Sequence, residues 1–255
     1  MITPQMTAFA VPDMPLVQPG DDLVALIMDA LAAHDESLQD GDILVISSKI
    51  VSKSEDCFVD LYTVKPGAKA LELAEKVNKD PRIVEMVLQE SKSISRAVPG
   101  VLVVEHRLGF VSANAGIDQS NVDDSGHHIL LLPIDPDASA AALRQGLQER
   151  LGVTVGIVIS DTHGRPFRRG NVGVAIGIAG LPAVVDLRGE VDLFGREMLA
   201  SVEGFGDLLA STAHLLCGET NEGRPVIVLR GVPVADVEHG LGADMNRDPA
   251  HDLYR

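Results

Sequence analysis

The chain has 255 residues, enough for one large domain or two modest lobes. Its 37 Asp and Glu outweigh 21 Lys and Arg, and the net charge of −16 opposes binding to a nucleic-acid backbone or an anionic lipid surface. Hydrophobic residues make up 45%, too many for a disordered acidic chain, and with 3% aromatics and no Trp the core must be built from Leu, Val, Ile and Ala.

An N-terminal loop is expected up to Pro19-Gly20-Asp21. Leu23, Leu26, Ile27, Ala30 and Leu31 then recur at helical spacing, with Asp21 or Asp22 as N-cap. Gly41-Asp42 turns the chain into a buried strand at 43–46. Helices are expected at 68–77 and 83–91, with Asp80-Pro81 as an N-cap followed by Pro at the first helical position. Residues 101–105 and 110–112 read as a hairpin around Gly109, and 129–132 as a further strand. Asp137 or Ser139 is expected to cap a helix ending near Leu151. An apolar strand follows at 153–160. The apolar, glycine-rich stretch 171–180 predicts a close approach of its backbone to something else. Residues 197–216 predict the longest helix, weakened in its middle by Gly204 and Gly206. A last strand is expected at 225–229, and 232–255 reads as a poorly ordered C-terminal tail.

Strands and helices mix without strict alternation, which predicts an α+β fold with mixed sheets rather than a doubly wound sheet. No repeat or linker divides the chain, so residues 1–255 are expected to form one module of one or two lobes. The most apolar runs fall far short of the roughly 20 residues of a membrane span. No basic start followed by an apolar stretch marks a signal peptide, so the cytoplasm is the expected location. Cys57 and Cys217 could form one disulfide but are expected instead to be reduced, part-buried thiols, and no paired Cys/His spacing suggests a zinc site.

The familiar nucleotide and hydrolase motifs are missing. There is no GxxxxGK[ST], no GxSxG and no HExxH, and Gly204-Phe205-Gly206 does not continue as GxGxxG. Three polar segments instead follow apolar runs. In 112–121, small residues permit a tight loop from which Asp118 and Asn121 can both point inward. Their oxygens suit a hard cation such as Mg²⁺ or Mn²⁺, or else close an Asx-turn. In 159–170, Asp161 ends an apolar strand and Arg165, Arg168 and Arg169 follow, against the acidic trend of the chain. Arginine forks match phosphate or carboxylate, although a solvated basic turn has the same composition. His163 reads as a surface or hydrogen-bonding residue. In 217–223, Gly218 and Gly223 permit backbone N–H groups to approach a phosphate and Glu219 could complete a metal site, or the loop simply closes a helix. Ser48, Lys49 and Lys53 after the first strand could meet a phosphate or stay solvated.

Taken in order, several stretches resemble the coenzyme F420-0:γ-glutamyl ligase family over residues 10–232. They are Gly41-Asp42-Ile43-Leu44-Val45 with Ser52-Lys53, Ala113-Asn114-Ala115-Gly116-Ile117-Asp118-Gln119-Ser120-Asn121, and Leu131-Leu132-Pro133-Ile134-Asp135-Pro136-Asp137. Ile159-Ser160-Asp161-Thr162-His163-Gly164-Arg165, Ala175-Ile176-Gly177-Ile178-Ala179-Gly180 and Leu229-Arg230-Gly231 complete the set. The resemblance implies an unusual α+β fold without a P-loop, forming a homodimer. It implies a GTP-dependent ligase that joins L-glutamate to F420-0 through an amide and then adds γ-linked glutamates.

By matching position, Asp118 and Asp161 look like ligands of one divalent ion, Mg²⁺ or Mn²⁺, and Thr162 and Glu219 of a second. K⁺ is a further expected cation. Asp118, Asp161 and Arg165 are the expected catalytic residues. GTP contacts are expected from Met14, Pro15, Leu16, Val17, Ser48, Lys49, Lys53 and Asn121. The loop Cys217, Gly218, Glu219, Thr220, Asn221, Glu222, Gly223 and Arg224 adds the rest. The ending at Asp252-Leu253-Tyr254-Arg255 is similar to the join at which relatives continue into a nitroreductase-like domain, and reads here as a stand-alone module. Two other classes fit the residues: a different metal-dependent nucleotide enzyme on the same scaffold, and a silent binding module.

Overall fold

A computed structural model describes residues 4–235 and 237–252. In chain order the elements are β1 (Thr7–Ala10), α1 (Leu23–Ala32), β2 (Ile43–Ser47), α2 (Ser48–Ser54), β3 (Phe58–Asp60), α3 (Ala68–Val77) and α4 (Pro81–Gln89). There follow β4 (Ser91–Val98), β5 (Val101–His106), β6 (Val111–Ala113), β7 (His128–Leu130), α5 (Pro136–Leu151), β8 (Gly156–Gly164) and β9 (Asn171–Ala179). The last are β10 (Val185–Asp186), β11 (Val202–Glu203), α6 (Phe205–Cys217) and β12 (Val226–Arg230). The fold is α+β, as the mixed pattern predicts.

Five strands form the main sheet in the order β1-β12-β2-β8-β9. Only β2 and β8 pair in parallel; every other neighbour in this sheet is antiparallel. Alternate side chains serve two cores. Leu44, Ile46, Ile157 and Ile159 pack with α1 and α5 residues such as Ile27 and Leu147 on one face. Val45, Val158, Ile178 and Ile227 pack with α6 residues Leu209 and Ala213 on the other. Burial on both faces is why β2 reads as a continuous apolar run. A third core joins α3 and α4 to the β4-β5-β6 sheet through Val84, Val87, Leu102 and Val104. Strands β3 and β7 form a small antiparallel pair with Asp60 opposite His128.

Two glycines of β9 satisfy the expected close approach. A Cβ on Gly173 would lie 2.3 Å from the Ala210 carbonyl oxygen of α6, and one on Gly177 would lie 2.3 Å from the Pro136 carbonyl oxygen of α5. The sheet is thus clamped between two helices at backbone contact.

The structure corrects several expectations. The longest helix is α5, and α6 begins at Phe205 rather than 197. Gly204 is its N-cap residue, not an interior weakness, and Gly206 sits where a Cβ would meet Ile178 Cδ1 at 2.5 Å. Residues 185–203 instead form an arm closed by the β10-β11 pair. Helix α5 starts at Pro136, capped by Asp135, whose carboxylate accepts the Ala138 N–H at 3.0 Å. Asp137 turns inward and accepts the Ile178 and Gly242 N–H groups. Asp22 caps α1. Helix α4 ends at Gln89, and Ser91 opens a strand that its polar sequence conceals. Strand β1 escapes notice because it is four residues long at a sheet edge.

The C-terminal segment also departs from expectation. Met245 packs into the α6-side core, Asn246 donates to the Leu108 carbonyl at 2.9 Å, and Gly242 lies buried against Ile176. The end of the chain at 253–255 lies outside the described residues. Both cysteines are free and part-buried. No helix among the described residues is long and apolar enough to cross a membrane.

Gly177→Ala is expected to destabilise the chain by about 1–3 kcal/mol, because the added methyl meets main chain that cannot rotate away. Urea unfolding followed by circular dichroism measures it. An unchanged midpoint would show that α5 can move off the sheet.

Candidate active site

The parallel register sets Ser47 of β2 beside Ser160 of β8. Whatever follows each strand therefore emerges side by side. After β2 comes α2, whose Lys49 and Lys53 stand four residues apart on one helix face. Along β8 come Asp161 and Thr162, next to an irregularity in the β8-β9 pairing at Ile159 and Ser160. Such a shift re-aims the side chains beyond it.

A third segment arrives through a strained turn. Asn114, Ala115 and Gly116 all have left-handed backbones, with φ of 52°, 55° and 64°. Gly116 is required there: a Cβ would lie 3.2 Å from Asp161 Oδ2 and 2.7 Å from Leu132 Cδ1. The turn delivers Asp118, whose N–H and C=O both bond to Leu130. The fourth segment is the loop after α6, where Gly218 has φ of 76° and Glu222 folds over it.

These segments enclose one cavity of about 440 Å³. Asp118, Asp161, Thr162 and Glu219 line it together with Lys49, Lys53, Met14, Pro15, Leu16 and Val17. Ser48, Asn121 and the whole loop from Cys217 to Arg224 also line it. Lys49 Nζ donates to the Ser120 carbonyl at 2.9 Å and lies 3.4 Å from Asp118 Oδ1. Asn121 Nδ2 donates to the Thr220 carbonyl at 2.8 Å, tying the second loop to the fourth.

The electrostatics are those of crowded acids. Burial pushes the Asp118 carboxyl up to about 6, and the Asp161 and Glu219 carboxylates add to the rise while Lys49 opposes it. Burial lowers the Lys53 ammonium below its ordinary value, and the Lys49 charge lowers it further. Burial likewise raises the Cys217 thiol, which makes it a poor nucleophile. The carboxylates of Asp118, Asp161 and Glu219 and the Thr162 hydroxyl, among the residues lining this cavity, are a donor set for hard divalent cations. Asp118 and Asp161 could hold one ion, and Thr162 and Glu219 a second.

A sequence profile described as F420-0:Gamma-glutamyl ligase matches residues 13–231. The chain belongs to that family. Three relatives carry the name coenzyme F420:L-glutamate ligase. The one from Methanothermobacter thermautotrophicus is 47% identical over 228 residues, spanning 89% of this chain and 90% of the relative. The one from Methanopyrus kandleri is 44% identical over 243 residues, 94% and 93% of the two chains. The one from Archaeoglobus fulgidus is 40% identical over 251 residues, 98% and 97%. Family membership makes this chain an enzyme of the ligase class.

Of the residues expected in this ligase site, all but Arg165 line the cavity. Beyond Thr162 the β8-β9 hairpin carries Arg165 away, and its guanidinium Nη2 donates to the Arg169 carbonyl at 2.9 Å. Arg168 and Arg169 are exposed.

Two partners escape the sequence reading. His163 is buried, and its Nε2 lies 3.0 Å from Asp161 Oδ2. Its ring contacts Phe110, which stacks on His106. His214 Nε2 lies 3.1 Å from Glu219 Oε1. The first pair was available from strand periodicity, since residues two apart share a face. The second needs the tertiary turn after α6.

The raised Asp118 pKa has a thermodynamic consequence. Folding favours its neutral form, so Asp118 costs nothing below its ordinary value of 3.8 and destabilises the fold as pH rises through about 6. In a chelator, Asp118→Asn is therefore expected to raise the melting temperature at about pH 7.5 and leave it nearly unchanged near pH 3.5. Thermal melts at the two pH values measure the difference. An equal shift at both would mean the carboxylate is not under electrostatic stress.

Proposed function

We propose that this chain is a GTP-dependent ligase that joins L-glutamate to coenzyme F420-0 through an amide and then adds γ-linked glutamates. One observation carries the reading. Four segments far apart in sequence place Asp118, Asp161, Glu219, Thr162, Lys49 and Lys53 around one cavity of about 440 Å³, within the range of small-molecule and cofactor sites. The family description, which names F420-0, and the relatives' names, which give coenzyme F420 and L-glutamate, support the acceptor and the amino acid.

In this reading Lys53 and Lys49 face the phosphates of GTP, and Asn121 with the 217–224 loop positions the nucleotide. Asp118 and Asp161 hold one Mg²⁺ or Mn²⁺ ion, and Thr162 and Glu219 the other. Such ions offset charge on phosphate oxygens when bound. His163 fixes the Asp161 carboxylate in its orientation.

The acceptor carboxylate oxygen attacks the γ-phosphorus, the bond to the β-phosphate oxygen breaks, and GDP leaves. The resulting acyl phosphate is attacked at its carbonyl carbon by the free-base amine of glutamate. Phosphate departs with the bonding pair, the nitrogen loses its proton, and the amide remains. Positioning the three reactants supplies much of the rate.

The proposal includes a homodimer in the cytoplasm. Leu193 and Phe194 at the tip of the 185–203 arm are 100% and 84% exposed, and Leu199 is 80% exposed. An apolar arm of this kind is suited to a second copy of the chain.

Incubation with F420-0, GTP, Mg²⁺ and glutamate is expected to give products heavier by successive glutamyl units, read by mass spectrometry. GDP release without those masses would identify a hydrolase instead. Asp118→Ala and Asp161→Ala should each abolish ligation while the far-ultraviolet circular dichroism stays unchanged; a folded variant with near-normal turnover would remove that residue from the site. Lys53→Ala should raise the apparent KM for GTP roughly tenfold, the scale of one charge-assisted contact. The double variant Leu193→Glu, Phe194→Glu should shift the mass measured by light scattering to that of one chain.

A further inference from the structure

A second set of metal-ligating side chains lies outside the cavity, where β3 ends and β7 begins. Asp60, His127 and His128 each offer one ligand atom, and these atoms all lie within 4.8 Å of one another. Asp60 stands opposite His128 across the β3-β7 pair, and the Leu61 N–H donates to the His127 carbonyl at 3.1 Å. The three residues are part-buried; Asp60 and His128 are held by the strand pairing, and His127, one residue before β7, by the Leu61 N–H bond to its carbonyl.

Each imidazole also has a hydrogen-bond partner on its other side. His128 Nδ1 lies 2.5 Å from Asp123 Oδ2 and 3.1 Å from Ser125 Oγ. His127 Nδ1 lies 3.2 Å from the Ser125 carbonyl oxygen. A carboxylate and a carbonyl can only accept, so each Nδ1 is the donor, and in the neutral ring Nε2 is the nitrogen left for a cation. Metal-binding histidines are oriented in this way: one ring nitrogen donates to a carboxylate or carbonyl and the other binds. Asp60 spends Oδ1 on the Tyr62 N–H at 2.8 Å, which leaves Oδ2 for a cation.

We propose that Asp60, His127 and His128 form a second, independent cation site, selective for a borderline transition metal such as Zn²⁺. Two imidazoles and one carboxylate favour that class over Mg²⁺, whose preferred donors are oxygens. A fourth position is left for water. The site clamps the far end of the segment that carries Asp118, because β7 continues to Leu130, the backbone partner of Asp118. Its role is therefore structural: it fixes the 118–130 segment without touching the phosphates. Histidine spacing in the sequence cannot reveal it, because Asp60 and the His pair are joined only by the β3-β7 pairing.

The test uses the full chain without an affinity tag, stripped with chelator and free of nucleotide. Co²⁺ is titrated first, and its visible absorption is followed; Zn²⁺ then displaces it, and bound zinc is counted by mass spectrometry of the metal. The expected result is one Zn²⁺ per chain, a tetrahedral Co²⁺ spectrum and a higher melting temperature with zinc. The double variant Asp118→Asn, Asp161→Asn should bind the same equivalent. His127→Gln and Asp60→Asn should each lose it, and Asp123→Asn should weaken it by roughly 10–100-fold. Should His127→Gln fail to fold, Asp60→Asn decides the same point. No stoichiometric uptake by the wild type would overturn the proposal. So would uptake that survives His127→Gln or Asp60→Asn but is lost in the Asp118, Asp161 variant, since the zinc would then sit in the carboxylate cavity.

Discussion

Parallel pairing of β2 with β8 is the contact on which the site depends. It is the single parallel ladder in a five-stranded sheet whose other neighbours run antiparallel. Two strands that run the same way end on the same side, so the α2 lysines leave the sheet beside the stretch of β8 that carries Asp161 and Thr162. An antiparallel pair would put them at opposite ends, more than a strand length apart. Ligand sites at the carboxyl ends of parallel strands are familiar from doubly wound folds. Here one parallel step inside a mixed sheet achieves the same convergence.

That convergence has an electrostatic cost, visible in Asp118. Its carboxyl is raised to about 6 because burial and two neighbouring acids disfavour a third negative charge. Lys49 relieves part of the stress and does not cancel it. A site in that state is prepared for cations rather than for anions alone. This resolves the apparent conflict between a net charge of −16 and the polyanionic nucleotide proposed as the ligand. The acidic surface opposes broad polyanions, whereas a pocket of acids can recruit divalent charge and admit phosphates beside it.

The surroundings keep this geometry rigid. Gly173 and Gly177 let α6 and α5 press on the β9 backbone, and β9 in turn carries β8. Gly116 lets the Asp118 turn pass directly against Asp161. Asn121 bolts that turn to the loop after α6 through the Thr220 carbonyl. Of the four pieces of chain that build the cavity, β8, the Asp118 turn and the loop after α6 are each fixed by a contact that a single added methyl or a lost amide would disturb.

Much of this was legible in the sequence, in an uneven way. The buried strands 43–47 and 226–230, the hairpin around Gly109 and helices α1 and α3 follow from local apolar spacing, which acts over a few residues. The cavity residues were named through the family resemblance, position by position; local pattern alone left a turn, cap or solvated role open for each segment. What local pattern missed depends on distant partners. The 197–216 stretch is helical in periodicity, yet only 205–217 finds a core to cover, and the rest becomes an arm. The tail after Val232 has little periodicity because its order comes from single contacts to Leu108 and Ile176. Arg165 stands four residues from Asp161 in the chain, and the hairpin twist takes it out of the cavity. Residue types and strand periods therefore determined which chemistry was possible. Register, turn handedness and helix docking decided which of those side chains meet, because they act between residues the chain separates by tens of positions.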